Sequence, residues 1–285
     1  MKHFFMITNL QKDPSLEITH YLEQYCKEHE ADCIVQVTGD TGIEEPYTRG
    51  SDIPPGIDCI IVLGGDGTLL QAARDTQGLR IPLIGVNLGT LGYLAEIEQP
   101  NLERAMQALL MDEYEIESRM MLEGRVIRAG ETLETGQALN DIIVARCGSL
   151  RIMHFNIYVN GQFLKEYQAD GIIVATPTGS TGYNMSAGGP IVEPKAKLLL
   201  LTPICPHTFN NRSIILAPED VITLEIGAGR AGQIQEIEVN YDGSHRVTLL
   251  TGDRIEIQQS TKQTDIIKLN KVSFLEVLHK KMSES

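Results

Sequence analysis

Ile60-Ile61-Val62-Leu63-Gly64-Gly65-Asp66-Gly67-Thr68-Leu69-Leu70 reads, in that order, as a strand, a turn and the start of a helix. The run from Ile60 to Leu63 contains no polar residue, as a parallel strand buried on both faces requires. Gly64, Gly65 and Gly67 then give a turn that carries no Cβ to bar a ligand and in which positive φ costs little. Good helix formers follow from Thr68 to Arg74. Free N–H groups and the positive end of a helix dipole are therefore expected beside the turn, a setting that suits phosphate. Asp66 is the oddity, because a carboxylate repels phosphate unless a cation or a substrate hydroxyl stands between them. An acceptor hydroxyl attacking a bound phosphate accounts for it, with Asp66 taking the proton. The plainer alternative is a helix cap.

Around this stretch the N-terminal part alternates strand and helix, the pattern of an α/β domain with a parallel sheet. Phe4 to Thr8 and Cys33 to Val37 read as strands with a helix between them, and Pro82 to Asn87 as another. A second glycine-rich turn runs from Gly89 to Leu94. Ligands of open α/β sheets sit beyond the carboxyl ends of the strands, where the two turns can meet. From about Tyr114 the texture changes to short alternating segments with tight turns, among them Ala138 to Arg146 as one strand, which indicates a β-rich second domain. The boundary is placed at Glu117, and Ser273 to Met282 reads as a terminal helix.

A chain of 285 residues is long enough for two domains, each with its own core. With 24 Lys and Arg against 38 Asp and Glu, the formal charge of −14 argues against a nucleic-acid or anionic-membrane surface. No apolar run reaches the roughly 18 residues that span a bilayer, and Met1 to Leu10 does not read as a signal peptide, so a cytoplasmic location is expected. The five cysteines, Cys26, Cys33, Cys59, Cys147 and Cys205, form no CxxC pair and are read as reduced core thiols.

A second chemical stretch runs from Asp170 through Gly171-Ile172-Ile173-Val174-Ala175-Thr176-Pro177-Thr178-Gly179-Ser180-Thr181-Gly182-Tyr183 to Asn184-Met185-Ser186-Ala187-Gly188-Gly189-Pro190. Small hydroxyls and bare amides hold ribose, phosphate and amide groups without bulk, while Tyr183 offers a flat face and Asp170 an acceptor. So many small residues are poor core material, which favours a ligand loop over a plain surface turn. Asn140-Asp141, before Ile142-Ile143-Val144, is a weaker pair of the same kind. His207, Thr208 and Arg212 are read as a packing corner. No GxxxxGK, HExxH or GxSxG pattern occurs, so phosphate must be handled by backbone amides and magnesium.

Together, GGDGT at Gly64 to Thr68, Asn140-Asp141 and the Asp170 to Ile191 run resemble the NAD kinase family over nearly the whole chain. GGDGT alone is shared with diacylglycerol, sphingosine and phosphofructokinase relatives; the second run is the more specific mark. Leu201 to Ile214 also resembles the family's following segment. The resemblance implies an α/β domain (residues 1–117), a β-rich, sandwich-like dinucleotide-binding domain (118–267) and a last segment (268–285) returning to the first, with the active site between the domains. It also implies transfer of the γ-phosphoryl group of ATP, with a divalent cation such as Mg2+, to the 2′-hydroxyl of the adenosine ribose of NAD, giving NADP.

By this resemblance Asp66 is catalytic, Gly64, Gly65, Gly67 and Thr68 form the phosphate loop, and Asn140, Asp141, Asp170, Thr181, Gly182, Tyr183, Asn184 and Ser186 hold the dinucleotide. Arg151, Gln168 and Asp242 are added as further contacts. Asp141 stands where the family commonly has Glu, and Gly182 where Ala is usual. A homodimer or homotetramer is expected, with polyphosphate as an alternative donor. The rival functions are a lipid kinase of the same superfamily and a non-catalytic NAD-binding regulator.

Overall fold

In a computed structural model, residues 1–39, 48–89, 92–95, 97–148, 152–207, 212–243, 245–269 and 273–283 are described, apart from the Arg230 side chain. The chain divides into a unit of Met1–Arg119 with Gln263–Ser285 and a unit of Met120–Lys262.

The first unit contains β1 (His3–Asn9), α1 (Glu17–Glu28), β2 (Asp32–Thr38), β3 (Cys59–Gly64), α2 (Asp66–Asp75), β4 (Leu83–Asn87), β5 (Ile97–Glu98) and α3 (Leu102–Leu110). Its strands are parallel in the order β2-β1-β3-β4. The chain moves outward from β1 to β2 and then returns to the other side of β1 for β3. The order therefore reverses between β1 and β3, the kind of switch point where open α/β sheets bind ligands. Both faces of the sheet are covered, which is why β3 is apolar throughout. Phe4, Met6, Ile61, Leu63, Ile84 and Val86 form one core with Leu22 and Cys26 of α1 and with Met106 and Leu109 of α3. On the other face a Cβ at Gly85 would lie 2.9 Å from Ala95 Cα and 3.3 Å from Leu69 of α2. That fit accounts for a glycine in mid-strand.

The second unit contains most of β6 (Glu115–Arg128), then β7 (Glu131–Ala138), β8 (Asp141–Arg146), β9 (Met153–Val159), β10 (Gln162–Ala169), β11 (Gly171–Ala175), the one-turn helix α4 (Tyr183–Ser186), β12 (Leu199–Ile204), β13 (Ile214–Leu216), β14 (Ile222–Ile226), β15 (Glu236–Tyr241), β16 (His245–Leu250) and most of β17 (Arg254–Lys268). In one antiparallel layer the order is β10-β9-β14-β17, with β6 and β7 paired; the other runs β13-β12-β11-β8-β15-β16. Alternate residues such as Ile142, Val144, Ile172 and Val174 pack against Phe155, Ile157, Leu224 and Ile255 in a sandwich core. The outer face of β11 is covered too, by Ala187, Val192 and Leu198 against Ile173 and Ala175. This double burial explains the unbroken Ile172-Ile173-Val174. The last residues of β17 return to the first unit, where Ile266 pairs with Leu83 of β4, and α5 (Phe274–Ser283) closes the chain.

Three sequence expectations change. The segment Ala138 to Arg146 is two strands, broken at Leu139-Asn140, because Asp242 takes the amides of that stretch out of the ladder. None of Gly64, Gly65 and Gly67 has positive φ, so their role is space rather than left-handed backbone. The five thiols are free, but only Cys26 and Cys59 are buried; Cys33 and Cys147 are half-buried and Cys205 is exposed.

Candidate active site

In the first unit, Asp66 is the first residue of α2, and its carboxylate does not cap that helix. Gly65 is the N-cap. Asp66 Oδ2 instead accepts the Tyr93 N–H at 2.7 Å, and Oδ1 accepts those of Leu94 and Ala95 at 3.1 and 3.0 Å. The two glycine-rich turns thus meet through this side chain. A Cβ on Gly92 would lie 1.8 Å from Asp66 Oδ1, so the contact requires glycine there. An ionised carboxylate offers about four acceptor positions. Three are filled among the described residues, which leaves one on Oδ2.

Gly64 has a similar constraint, since its Cβ would stand 2.3 Å from Thr68 Oγ1. That hydroxyl accepts the Gly65 N–H at 3.4 Å and the Asn9 amide at 3.2 Å. Gly65 and Gly67 have no atom within 4 Å of where a Cβ would be, so the approach to their backbone is open. The result is an unobstructed helix N-terminus at the β1/β3 switch point with one acceptor lone pair beside it. This geometry suits a phosphate and a hydroxyl brought together.

In the second unit, Asp242 acts on its neighbours as Asp66 does. Its carboxylate accepts the N–H groups of Leu139 at 2.7 Å, Asn140 at 2.8 Å and Asp141 at 3.1 Å. Thr176 reaches the same stretch, donating its hydroxyl to Leu139 O at 2.6 Å and its N–H to Asn140 O at 2.8 Å. Gly179 packs so closely that its Cβ would lie 2.1 Å from Asn140 O. Asn140 and Asp141 are thereby fixed facing Gly182, whose Cβ would lie 3.5 Å from Asn140 Nδ2 and 3.9 Å from Asp141 Oδ2. Asn140 Oδ1 is buried without a partner among the described residues, an acceptor left for something else. Burial, with the charge of Asp242 second, raises the Asp141 carboxyl to about 8. It therefore carries a proton near neutrality and can donate as well as accept.

The rest of the loop divides by exposure. Tyr183 and Ser186 are exposed and Thr181 is half-buried, its hydroxyl 3.4 Å from Thr178 O. Asn184 is fully buried; Nδ2 donates to Ser180 O and Pro190 O at 3.1 and 3.0 Å, and Oδ1 accepts from Thr202 at 2.7 Å. Its polar capacity is spent on shaping the loop. The expectation that so many small residues make poor core material therefore changes, since Thr178, Gly179 and Ser180 are buried as well. Asp170 lies just before the other end of β11, about 16 Å along the strand from Ala175 at roughly 3.3 Å per residue, and Gln168 is near the end of β10. There Asp170 pairs with Arg146 Nε at 3.0 Å, and Gln168 O accepts the His207 N–H at 2.8 Å. Arg151 and Thr208 lie outside the described residues.

Sequence reading missed Asn9 and Thr202, and it took in Gly92 and Thr176 only within their stretches, without a role of their own. Asn9 carried a weak signal, a polar residue at the carboxyl end of a buried strand. The others act through contacts distant in sequence.

Two family models match the chain: the ATP-NAD kinase N-terminal domain over residues 6–114 and the ATP-NAD kinase C-terminal domain over residues 139–269. The chain is 46% identical to an NAD kinase of Agathobacter rectalis, the alignment covering 99% of each chain. It is 43% identical to an NAD kinase of Lachnospira eligens, over 99% of this chain and all of the relative. Among solved structures it is similar to a yeast NADH kinase complexed with NADH, with a TM-score of 0.83 and 26% identity over 99% of this chain and 88% of the other. An NAD kinase from Archaeoglobus fulgidus in complex with ATP superposes with a TM-score of 0.77 at 24% identity, covering 99% of both chains; at that identity the likeness speaks to the fold.

Proposed function

The chain belongs to the NAD kinase family, and from that premise we propose that it transfers the γ-phosphoryl group of ATP to the 2′-hydroxyl of the adenosine ribose of NAD. The observation that carries this reading is the Asp66 carboxylate, pinned by three backbone amides beside an open glycine turn and keeping one lone pair. In the reaction that lone pair accepts the hydroxyl proton as the ribose oxygen attacks the γ-phosphorus and the bond to the β,γ-bridging oxygen breaks. Gly65 and Gly67 allow the phosphate chain to reach the backbone amides at the start of α2. Because the transition state is loose in most analyses, alignment contributes more than proton removal, which is worth about 10²- to 10⁴-fold.

Asn140 and the protonated Asp141 present acceptor and donor groups side by side, suited to a nucleoside edge, with Tyr183 exposed nearby in the loop as a stacking face. Asp242, Thr176 and Asn184 set the positions of these groups. Asp170, paired with Arg146, and Gln168 lie a strand's length or more from Asn140, a separation that an extended ligand such as a dinucleotide could span. Among the described residues no three His, Cys, Asp or Glu side chains gather into a metal cage. A magnesium ion bound with the donor would be held by its phosphates and water near Asp66 and would neutralise phosphate charge. A cytoplasmic homo-oligomer belongs to the proposal through the family resemblance alone. Separately, no helix among the described residues is long and apolar enough to cross a membrane.

The test is product analysis with NAD, NADH or diacylglycerol as acceptor and ATP or polyphosphate as donor. NADP formed with stoichiometric ADP is expected. Phosphorylated lipid, or dinucleotide binding with no phosphorylated product, would overturn the proposal.

A further inference from the structure

We propose that Lys12 binds the phosphate chain of the phosphoryl donor. The inference rests on the kinase reading above and assigns to that site a cation that its glycine motif lacks. A triphosphate brought to an acidic chain needs positive charge, and GGDGT supplies only backbone dipoles and a carboxylate of the wrong sign. Lys12 lies in the turn that follows β1, one of the two strands bordering the switch point. The turn is tightly made, with the Lys12 and Asp13 N–H groups both donated to Asn9 O at 2.9 and 3.0 Å. Asn9 also fixes where the turn sits. Its Oδ1 accepts the Gln11 N–H at 3.0 Å, and its Nδ2 donates to Thr68 Oγ1 at 3.2 Å, which ties the Lys12 turn to the first turn of α2.

On its other side the ammonium reaches the turn after β4, where Lys12 Nζ lies 3.9 Å from the place of a Cβ on Gly89. The side chain is thus exposed beside the carboxyl ends of β1, β3 and β4, among the turns that frame the proposed donor site. It is also uncommitted. No hydrogen bond or ion pair holds Lys12 among the described residues, and the adjacent Asp13 directs its carboxylate to Thr19 N and Oγ1 at 2.9 and 2.7 Å. Three cations near the two glycine-rich turns or the terminal helix are engaged, Arg74 with Gln71, Lys280 with Glu98 at 3.4 Å and Lys281 over the Tyr93 ring at 4.5 Å, so what sets Lys12 apart is its place in the turn tied to α2. An uncommitted ammonium clipped to a phosphate-type helix start is placed as a point-charge phosphate ligand would be.

The test compares Lys12→Gln and Lys12→Arg with the parent, reading KM for ATP, KM for NAD and kcat, and measuring calorimetrically the binding of inorganic tripolyphosphate without NAD. Lys12→Gln should raise KM for ATP, and weaken tripolyphosphate, by about tenfold to a hundredfold, the size of a lost charge-assisted hydrogen bond. KM for NAD should stay near the parent's, and Lys12→Arg should recover much of the loss. Inorganic polyphosphate as donor should respond like ATP, because the proposed contact is to the phosphate chain. An unchanged KM for ATP and unchanged tripolyphosphate binding in Lys12→Gln would leave Lys12 a solvated surface lysine and end the proposal. If the parent bound tripolyphosphate through Lys12 but made no NADP, the kinase reading would fail and the phosphate contact would stand.

Discussion

Asp66 and Asp242 each gather three backbone amides of a neighbouring turn, and at both places the carboxylate does structural work before any ligand arrives. For Asp66 this makes position and basicity separable. Gly92→Ala would put a Cβ where Oδ1 now lies, so the carboxylate must move while remaining a carboxylate. A displacement of the order of 1 Å costs about 10²-fold in favourable cases. We expect kcat to fall by about that factor in Gly92→Ala, whereas parent-like kcat would mean that the placement of Asp66 by the second turn is unimportant. Asp141 carries a different prediction. A carboxyl held at about 8 keeps its proton in the native chain and loses it in the unfolded one. Its contribution to stability therefore declines as pH rises from the ordinary carboxylate range through about 8. Asp141→Asn lacks this term, so its stability relative to the parent should grow by at least about 1 kcal/mol between about pH 5 and about pH 8. Thermal melts at the two pH values check it; a constant difference would mean that Asp141 is ionised throughout.

At the scale of elements, the second unit positions Asn140 and Asp141 through a chain of packing that begins with Tyr241. This fully buried ring lies against two facing glycines, Gly124 of β6 and Gly136 of β7, and its hydroxyl donates to Gly124 O at 3.2 Å. Asp242 follows immediately and holds the 139–141 amides. A Cβ on Gly136 would stand 2.6 Å from the ring. Gly136→Ala is therefore expected to destabilise the protein by about 1–3 kcal/mol, the usual cost of overpacking, and to weaken dinucleotide binding together with stability. Melting and binding unchanged from the parent would show that the slot yields freely. Such couplings set the limit of what the sequence discloses. The strand into Gly64, the strand into Thr176 and the surrounding helices were legible because double burial and amphipathic spacing leave marks within a few residues. The break at Leu139-Asn140, the roles of Gly92 and Thr202 and the internal commitment of Asn184 were not, because each depends on a partner far along the chain.

For the whole molecule, the α/β and β-rich parts followed from the change of texture near Tyr114, and family membership from three short motifs. The junctions of the compact units were less visible, since β6 and β17 each have residues in both units and a continuous strand gives no local sign of a boundary. What unites the parts is one reaction, and its most direct measurement is turnover of NAD to NADP at saturating ATP by the purified chain and its Asp66→Asn variant. Asn can accept two of the three amides now held and sets its own NH₂ against the third, so some stability is lost, about 1–3 kcal/mol. Melting temperature and NAD affinity are read alongside to confirm a folded, ligand-binding variant. The parent is predicted to form NADP and the variant to turn over at least about a hundredfold more slowly, with NAD affinity changed far less. Near-parental turnover by folded Asp66→Asn, or no NADP from the parent, would contradict the assignment of Asp66 as the proton acceptor of an NAD kinase.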